Sequence, residues 1–261
     1  MFGFYMRRIL RSRFFVICVI INVILFIIGG HQDIFNAAEY NMSVLDLFKD
    51  SACYGIGHVS AYILYTLPFL YYFSEEINNK MVYYRLIRCS RRSYFASHIF
   101  SAVVSVILMC IISIVIFTAI CCMFGADFSV SKDSYNIYVS TVFDGLIKNN
   151  NVVILYCITC VSYILSITPG ILFAIVASLF IKNRYIIMAV PFIVLRLFQL
   201  ISTITRQDYI DWGIYTDLSA ATMYKTVGGL VYAFGYLAFL LIALSVIYYV
   251  GSMRRFRHGK I

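Results

Sequence analysis

The chain has 261 residues, 62% of them hydrophobic and only 13% charged, with a formal charge of +9. A soluble domain of this size is about a quarter charged, so the composition excludes an ordinary soluble enzyme or binding module. Repeated apolar runs of about 20 residues have the length of a membrane-crossing helix, and the alternation over about ten residues that a barrel strand needs is missing.

In chain order, Arg7, Arg8, Arg11 and Arg13 come first, followed by an apolar run from Phe14 to Gly30. That run is long for a signal-peptide core and no A-x-A site follows it, so it reads as a retained first span. The pattern predicts an all-α polytopic membrane protein with six spans, near 14–30, 53–73, 97–124, 152–181, 185–204 and 227–250. Together they form one transmembrane domain over 1–261. Pro68, Pro169 and Pro191 fall inside spans two, four and five, where each predicts a kink. Small residues at four-residue spacing, Ser97, Ser101 and Ser105 in span three and Gly170, Ala174 and Ser178 in span four, predict close helix packing.

Basic residues set the orientation. Fifteen of the 21 lysines and arginines fall on the side of the two termini, the 74–96 segment and the 182–184 link; five fall on the other side. Both termini are therefore expected in the cytoplasm, in a cell-membrane protein. Ten of the twelve acids fall outside, and the two cytoplasmic ones are Glu75 and Glu76. Topology and anionic inner-leaflet lipid account for the basic excess, and nucleic acid is not called for. Tyr71, Tyr72, Phe73, Tyr94, Phe95, Tyr185, Tyr248 and Tyr249 read as an inner aromatic belt. The single tryptophan, Trp212, lies in an outer loop at 205–226 that is expected to lie on the surface or dip into it.

Catalytic patterns are missing: there is no phosphate loop, no HExxH and no GxSxG. The four histidines are scattered, and Cys157-x-x-Cys160 has no second pair at zinc spacing. It reads as two thiols facing lipid or a neighbouring helix. No cofactor is expected on this chain, and no enzymatic activity of its own. Arg196 stands out, deep in the fifth span, where an arginine is costly. It lines a substrate path or pairs with an acid such as Asp208, or else it extends toward the outer headgroups.

The stretch FSEEINNKMVYYRLIRCSRRSYFASH, residues 73–98, separates spans two and three. Ser74 is placed to cap a helix with Glu75 and Glu76 in its first turn and Arg85, Arg88, Arg91 and Arg92 in later ones, an order that suits the helix dipole. Ile77, Met81 and Tyr84 give it an apolar stripe. Residues 74–92 are thus expected to form an amphipathic cytoplasmic helix, either a passive link or a dock for a partner.

With this segment the chain resembles the type-2 ATP-binding-cassette permease family. The resemblance lies in six spans, cytoplasmic termini, a basic N-terminal segment, and an acid (Glu75 or Glu76) opening a coupling helix that later carries Ser90, Arg91 and Tyr94. Asn78 and Asn79 stand where glycine is usual, proline before Ser90 is missing, and His98 lies near the usual lysine. The resemblance implies an exporter permease whose ATP and magnesium are bound by a separate ATPase subunit. It implies a second permease chain, identical or related, and an ATPase-docking surface of Glu75, Glu76, Lys80, Tyr84, Arg85 and Arg88. The cargo would be an amphipathic molecule such as a peptide, a lipid-like compound or a drug. The alternatives are a secondary transporter or channel, or a non-transporting anchor or sensor subunit. A secondary transporter would be expected to bury acids within the membrane, and the sequence offers no evident buried acid.

Overall fold

The computed structural model describes residues 2–54, 56–78, 90–129, 135, 136, 138, 141–181, 183–211, 213, 215 and 225–257. Among these the chain is all-α. The helices are α1 (Phe2–Leu10), α2 (Arg13–Gly29), α3 (His31–Phe35), α4 (Ala37–Tyr40), α5 (Val44–Phe48), α6 (Ile56–Leu64), α7 (Leu67–Asn78), α8 (Arg91–Met123), α9 (Asp144–Lys148), α10 (Val152–Ser178), α11 (Arg184–Thr205) and α12 (Val227–Arg257). The only extended pairing among the described residues is an isolated bridge between Ser43 and Asp127.

Helices α8, α10, α11 and α12 are long and apolar enough to cross a membrane, and α1 with α2 qualifies as a pair bent by 59°. Local chemistry fixes several starts. Ser12, Ser90 and Asn183 each accept a backbone N–H in the first turn of α2, α8 and α11 respectively, which satisfies donors that a helix end otherwise leaves open.

The expected second span, 53–73, is not one helix. A π-helical turn over Lys49–Tyr54 leads into α6, and the chain breaks at Tyr65 and Thr66 before α7 resumes. Pro68 lies one residue into α7 and supplies no N–H, so the ladder cannot run on unbroken. At 9 and 12 residues, α6 and α7 are each too short to cross alone. Pro169 and Pro191, by contrast, lie inside continuous helices.

The core forms where α2 meets α6 and α8, and where α10 meets α8, α11 and α12. Small residues let these helices approach. Gly170 of α10 is so close to its neighbours that an added Cβ would lie 3.2 Å from the Tyr62 ring of α6 and 3.4 Å from Pro191 of α11. Ala174, Ser101 and Ser105 are likewise buried. The aromatic belt divides: Tyr185 is exposed, whereas Phe73, Tyr94, Phe95 and Tyr248 are buried. Those four pack against one another from three helices instead of lining an interface.

Gly170→Leu is expected to wedge α10 away from α6 and α11, lowering stability by about 1–3 kcal/mol as overpacked cores do. Gly235→Ala, where no neighbouring atom lies within 4 Å, is expected to leave it unchanged or slightly raised. Thermal unfolding of the detergent-solubilised chain distinguishes the two.

Candidate functional site

At the end of the bundle that carries α1, three helices each present residues at three- or four-residue spacing, which places them on one face. From α1 come Tyr5 and Arg8, from α7 Tyr72 and Glu76, and from α8 Tyr94 and His98. They converge on the Glu76 carboxylate, which is 1% exposed. Tyr5 donates its hydroxyl to Oε2 at 3.1 Å and Tyr94 donates to the same oxygen at 3.2 Å. The Arg8 guanidinium pairs with Oε1 at 3.4 Å and stacks over the Tyr72 ring at 4.6 Å. His98 Nε2 lies 3.5 Å from Oε2 and 2.8 Å from the Tyr5 oxygen.

These distances set a direction. With Tyr5 donating to Glu76, its oxygen is left to accept, so His98 donates from Nε2. The chain of donors runs from His98 through Tyr5 to the carboxylate. Phe69 and Phe73 lie against the imidazole with ring centres 5.9 and 5.2 Å away. This apolar lining excludes water and strengthens each polar contact. A buried carboxylate without such partners would be strongly unfavourable. The network therefore fixes α1 and α8 to the end of α7.

The same geometry corrects the reading of the 74–92 segment. Ser74 does not open a new helix. Residues 74–78 are the last turn of α7, and Arg91 and Arg92 begin α8, capped by Ser90. Glu76 thus lies at the negative end of a helix dipole, the reverse of the order expected, and the four partners offset it. Lys80, Tyr84, Arg85 and Arg88 lie outside the described residues, as does the greater part of the predicted coupling helix. Glu75 is helical, at the end of α7.

Arg196 is elsewhere, on the exposed face of α11. Its Nη1 donates to Gln199 at 2.8 Å, and its guanidinium stands 5.4 Å from the Phe192 ring centre. No ion pair with Asp208 forms. Arg196 is instead within electrostatic reach of His58 on α6 and of Asp211. The chain after α11 turns back onto the bundle. Ser162 of α10 donates to the Tyr215 carbonyl at 2.6 Å, and Tyr236 of α12 donates to the Ile210 carbonyl at 3.0 Å. Tyr215 is fully buried against the bundle, whereas Trp212 and 216–224 of the same loop lie outside the described residues. Burial pushes the Asp211 carboxyl above its ordinary range. The Gly213 N–H, donating to it at 2.8 Å, and the Arg196 charge pull it partly back.

Cys157 is exposed and Cys160 half-buried on α10, both as free thiols. Among the described residues no three His, Cys, Asp or Glu side chains converge to hold a metal. Compared with family models, curated proteins and solved structures, the chain matches none.

The sequence reading missed the buried acid. Nothing in sequence links Tyr5 to residues some seventy and ninety positions later. The available signal was the four-residue spacing of Tyr72 with Glu76 and of Tyr94 with His98.

Glu76→Ala is expected to destabilise the solubilised chain by about 3–5 kcal/mol, since it strands partly buried cations and hydroxyls; Tyr94→Phe is expected to cost about 0.5–1.5 kcal/mol. The Tyr5→Phe and Tyr94→Phe losses should not add, because both act on one oxygen, and a double-mutant cycle in thermal unfolding checks this. For Asp211 the sign follows from its raised folded value. Its contribution to stability declines as pH rises from the ordinary carboxylate range through that value. Asp211→Asn, whose amide oxygen can still accept from Gly213, should flatten this decline and leave neutral-pH stability equal or higher.

Proposed function

We propose that this chain is the membrane-spanning permease subunit of an ATP-binding-cassette exporter, crossing the membrane six times with both termini in the cytoplasm. The broken α6–α7 unit would form the second span, and α1 would lie along the inner face. Two such permease chains would work with two ATPase subunits, which bind the ATP and magnesium that this chain does not.

The observation that supports the reading most directly is the Glu76 network. The segment between α7 and α8 is where an ATPase would dock, through Glu75, Lys80, Tyr84, Arg85 and Arg88. The network stands at the beginning of that segment and ties it to α1 and α8. A displacement applied there would be passed to the first and third spans through buried polar contacts, and Glu76 would transmit motion instead of touching the ATPase. For ATP to drive transport, it must favour one arrangement of these helices over another.

A second reading has one observation in its favour. A buried carboxylate beside a histidine, next to a broken helix, is also what a proton-coupled secondary transporter uses. The experiment separates the two. The tagged chain is recovered from native membranes and co-purified proteins are identified by mass spectrometry. An ATP-binding-cassette ATPase is expected with the wild type, and its recovery should fall with Glu75→Ala combined with Arg85→Ala and Arg88→Ala. Alanine at Lys132 and Lys148, on the opposite side, should not reduce it. A wild-type chain that brings down no such ATPase, with uptake or efflux following an imposed pH gradient, would overturn the proposal in favour of the second reading.

Orientation is checked with membrane-impermeant thiol reagents on intact cells. A variant whose only cysteine is Asn136→Cys, at an exposed position, should be labelled. One that keeps only the native Cys89 should be protected.

A further inference from the structure

We infer that the exposed face of α11 around Arg196 binds an amphiphile bearing an anionic group, and that this is the chemical class of the cargo; the word cargo rests on the permease reading, the binding site does not. The argument begins with depth. Arg196 lies about two and a half turns before the end of α11 at Thr205, about 13 Å of helical rise, farther than an arginine side chain extends. The guanidinium therefore stays at this depth, beside Gln199 and Phe192 and within electrostatic reach of His58 and Asp211.

The surroundings define what that would be. The buried face of α11 carries Ile187, Pro191 and Leu195. The opposite face carries Ile193, Leu197 and Leu200, 46%, 50% and 55% exposed, and Arg196 stands among them. Of the five N–H donors of a guanidinium, one is directed to Gln199, whose carbonyl oxygen orients the fork. The Phe192 ring lies beside it. The nearby Asp211 accepts from Gly213 and acts on Arg196 only through space, and no carboxylate among the described residues comes within ion-pair distance. A planar, oriented cation with unused donors, set in an apolar strip, is complementary to a carboxylate, sulfate or phosphate on an apolar tail. A second copy of this chain laid face to face on the strip would bring guanidinium against guanidinium, which disfavours direct contact there and favours an anion between them.

The test uses the full chain in nanodiscs of zwitterionic lipid. Three probes with the same twelve-carbon tail are titrated: dodecyl phosphate, dodecanol and dodecyltrimethylammonium. Emission of the single tryptophan, Trp212, adjacent in sequence to Asp211 and Gly213, is followed after subtraction of partitioning into empty nanodiscs. A saturable response to dodecyl phosphate alone is expected, weakened at least about tenfold in Arg196→Gln, the loss typical of a hydrogen-bonded charge, and retained in Arg196→Lys. Equal responses to the three probes, or an unchanged response in Arg196→Gln, would overturn the inference. So would loss of the response in nanodiscs containing phosphatidylglycerol, which would assign the site to a lipid headgroup. Binding as expected in a chain that recovers no ATPase would retain the site and reject the permease; ATPase recovery without charge-selective binding would do the opposite.

Discussion

A carboxylate sealed from water at the end of an apolar helix is the constraint on which one end of this molecule depends. Glu76 is acidic, it sits where the α7 dipole is already negative, and the aromatic side chains around it offer no solvation. Those three facts make it unfavourable unless donors surround it. The fold brings them from two other helices: two hydroxyls on one oxygen, a guanidinium on the other, and an imidazole within reach. Because each donor comes from a fixed helix, satisfying the acid also fixes the relative placement of α1, α7 and α8. The short α1 would hold its 59° bend from α2 poorly on propensity alone, since a nine-residue helix is marginal in isolation.

The helix break at Tyr65 and Thr66 sets the second apolar region apart from the long helices. Helices α8, α10, α11 and α12 are continuous rods, while α6 and α7 are separate pieces joined at a point where Pro68 removes a hydrogen bond. Close approach at Gly170 holds α6 against α10 and α11. Polar contacts at Glu76 hold α7 against α1 and α8. Both halves of the second apolar region pack against α2 and α11, and α7 adds the buried polar contacts at Glu76.

The two conspicuous charges of the bundle, Glu76 at the end of α7 and Arg196 in the middle of α11, are treated differently. The acid is buried and satisfied, whereas the arginine of α11 is exposed with one directed hydrogen bond. A mid-helix arginine facing hydrocarbon costs on the order of 2.5–3.5 kcal/mol, and Arg196 lies on an exposed face of α11 beside Ile193, Leu197 and Leu200.

Composition and hydropathy by themselves determined the class of molecule. Apolar runs of bilayer length leave few alternatives to helices, because backbone groups in lipid must bond internally. The observed helices Arg13–Gly29, Val152–Ser178 and Arg184–Thr205 lie close to where those runs placed them. The three prolines looked alike in sequence, yet the helix breaks only before Pro68 and runs on through Pro169 and Pro191. The sequence also showed that Arg196 is exceptional, since an arginine in an apolar run is conspicuous without any neighbour. The tertiary structure alone decided what Glu76 does. Periodicity assigned it to the first turn of a surface helix, because a glutamate after a serine is the ordinary sign of a helix start. That local signal yielded to the continuation of α7 and to donors from Tyr5, Tyr94 and His98. It alone also turned Phe73, Tyr94, Phe95 and Tyr248 inward, because aromatic residues near a span's end suit a membrane interface and a packed helix junction equally well. Local patterns report how a segment interacts with solvent or lipid. Which distant side chains neutralise a charge depends on how helices cross, and no single segment encodes that.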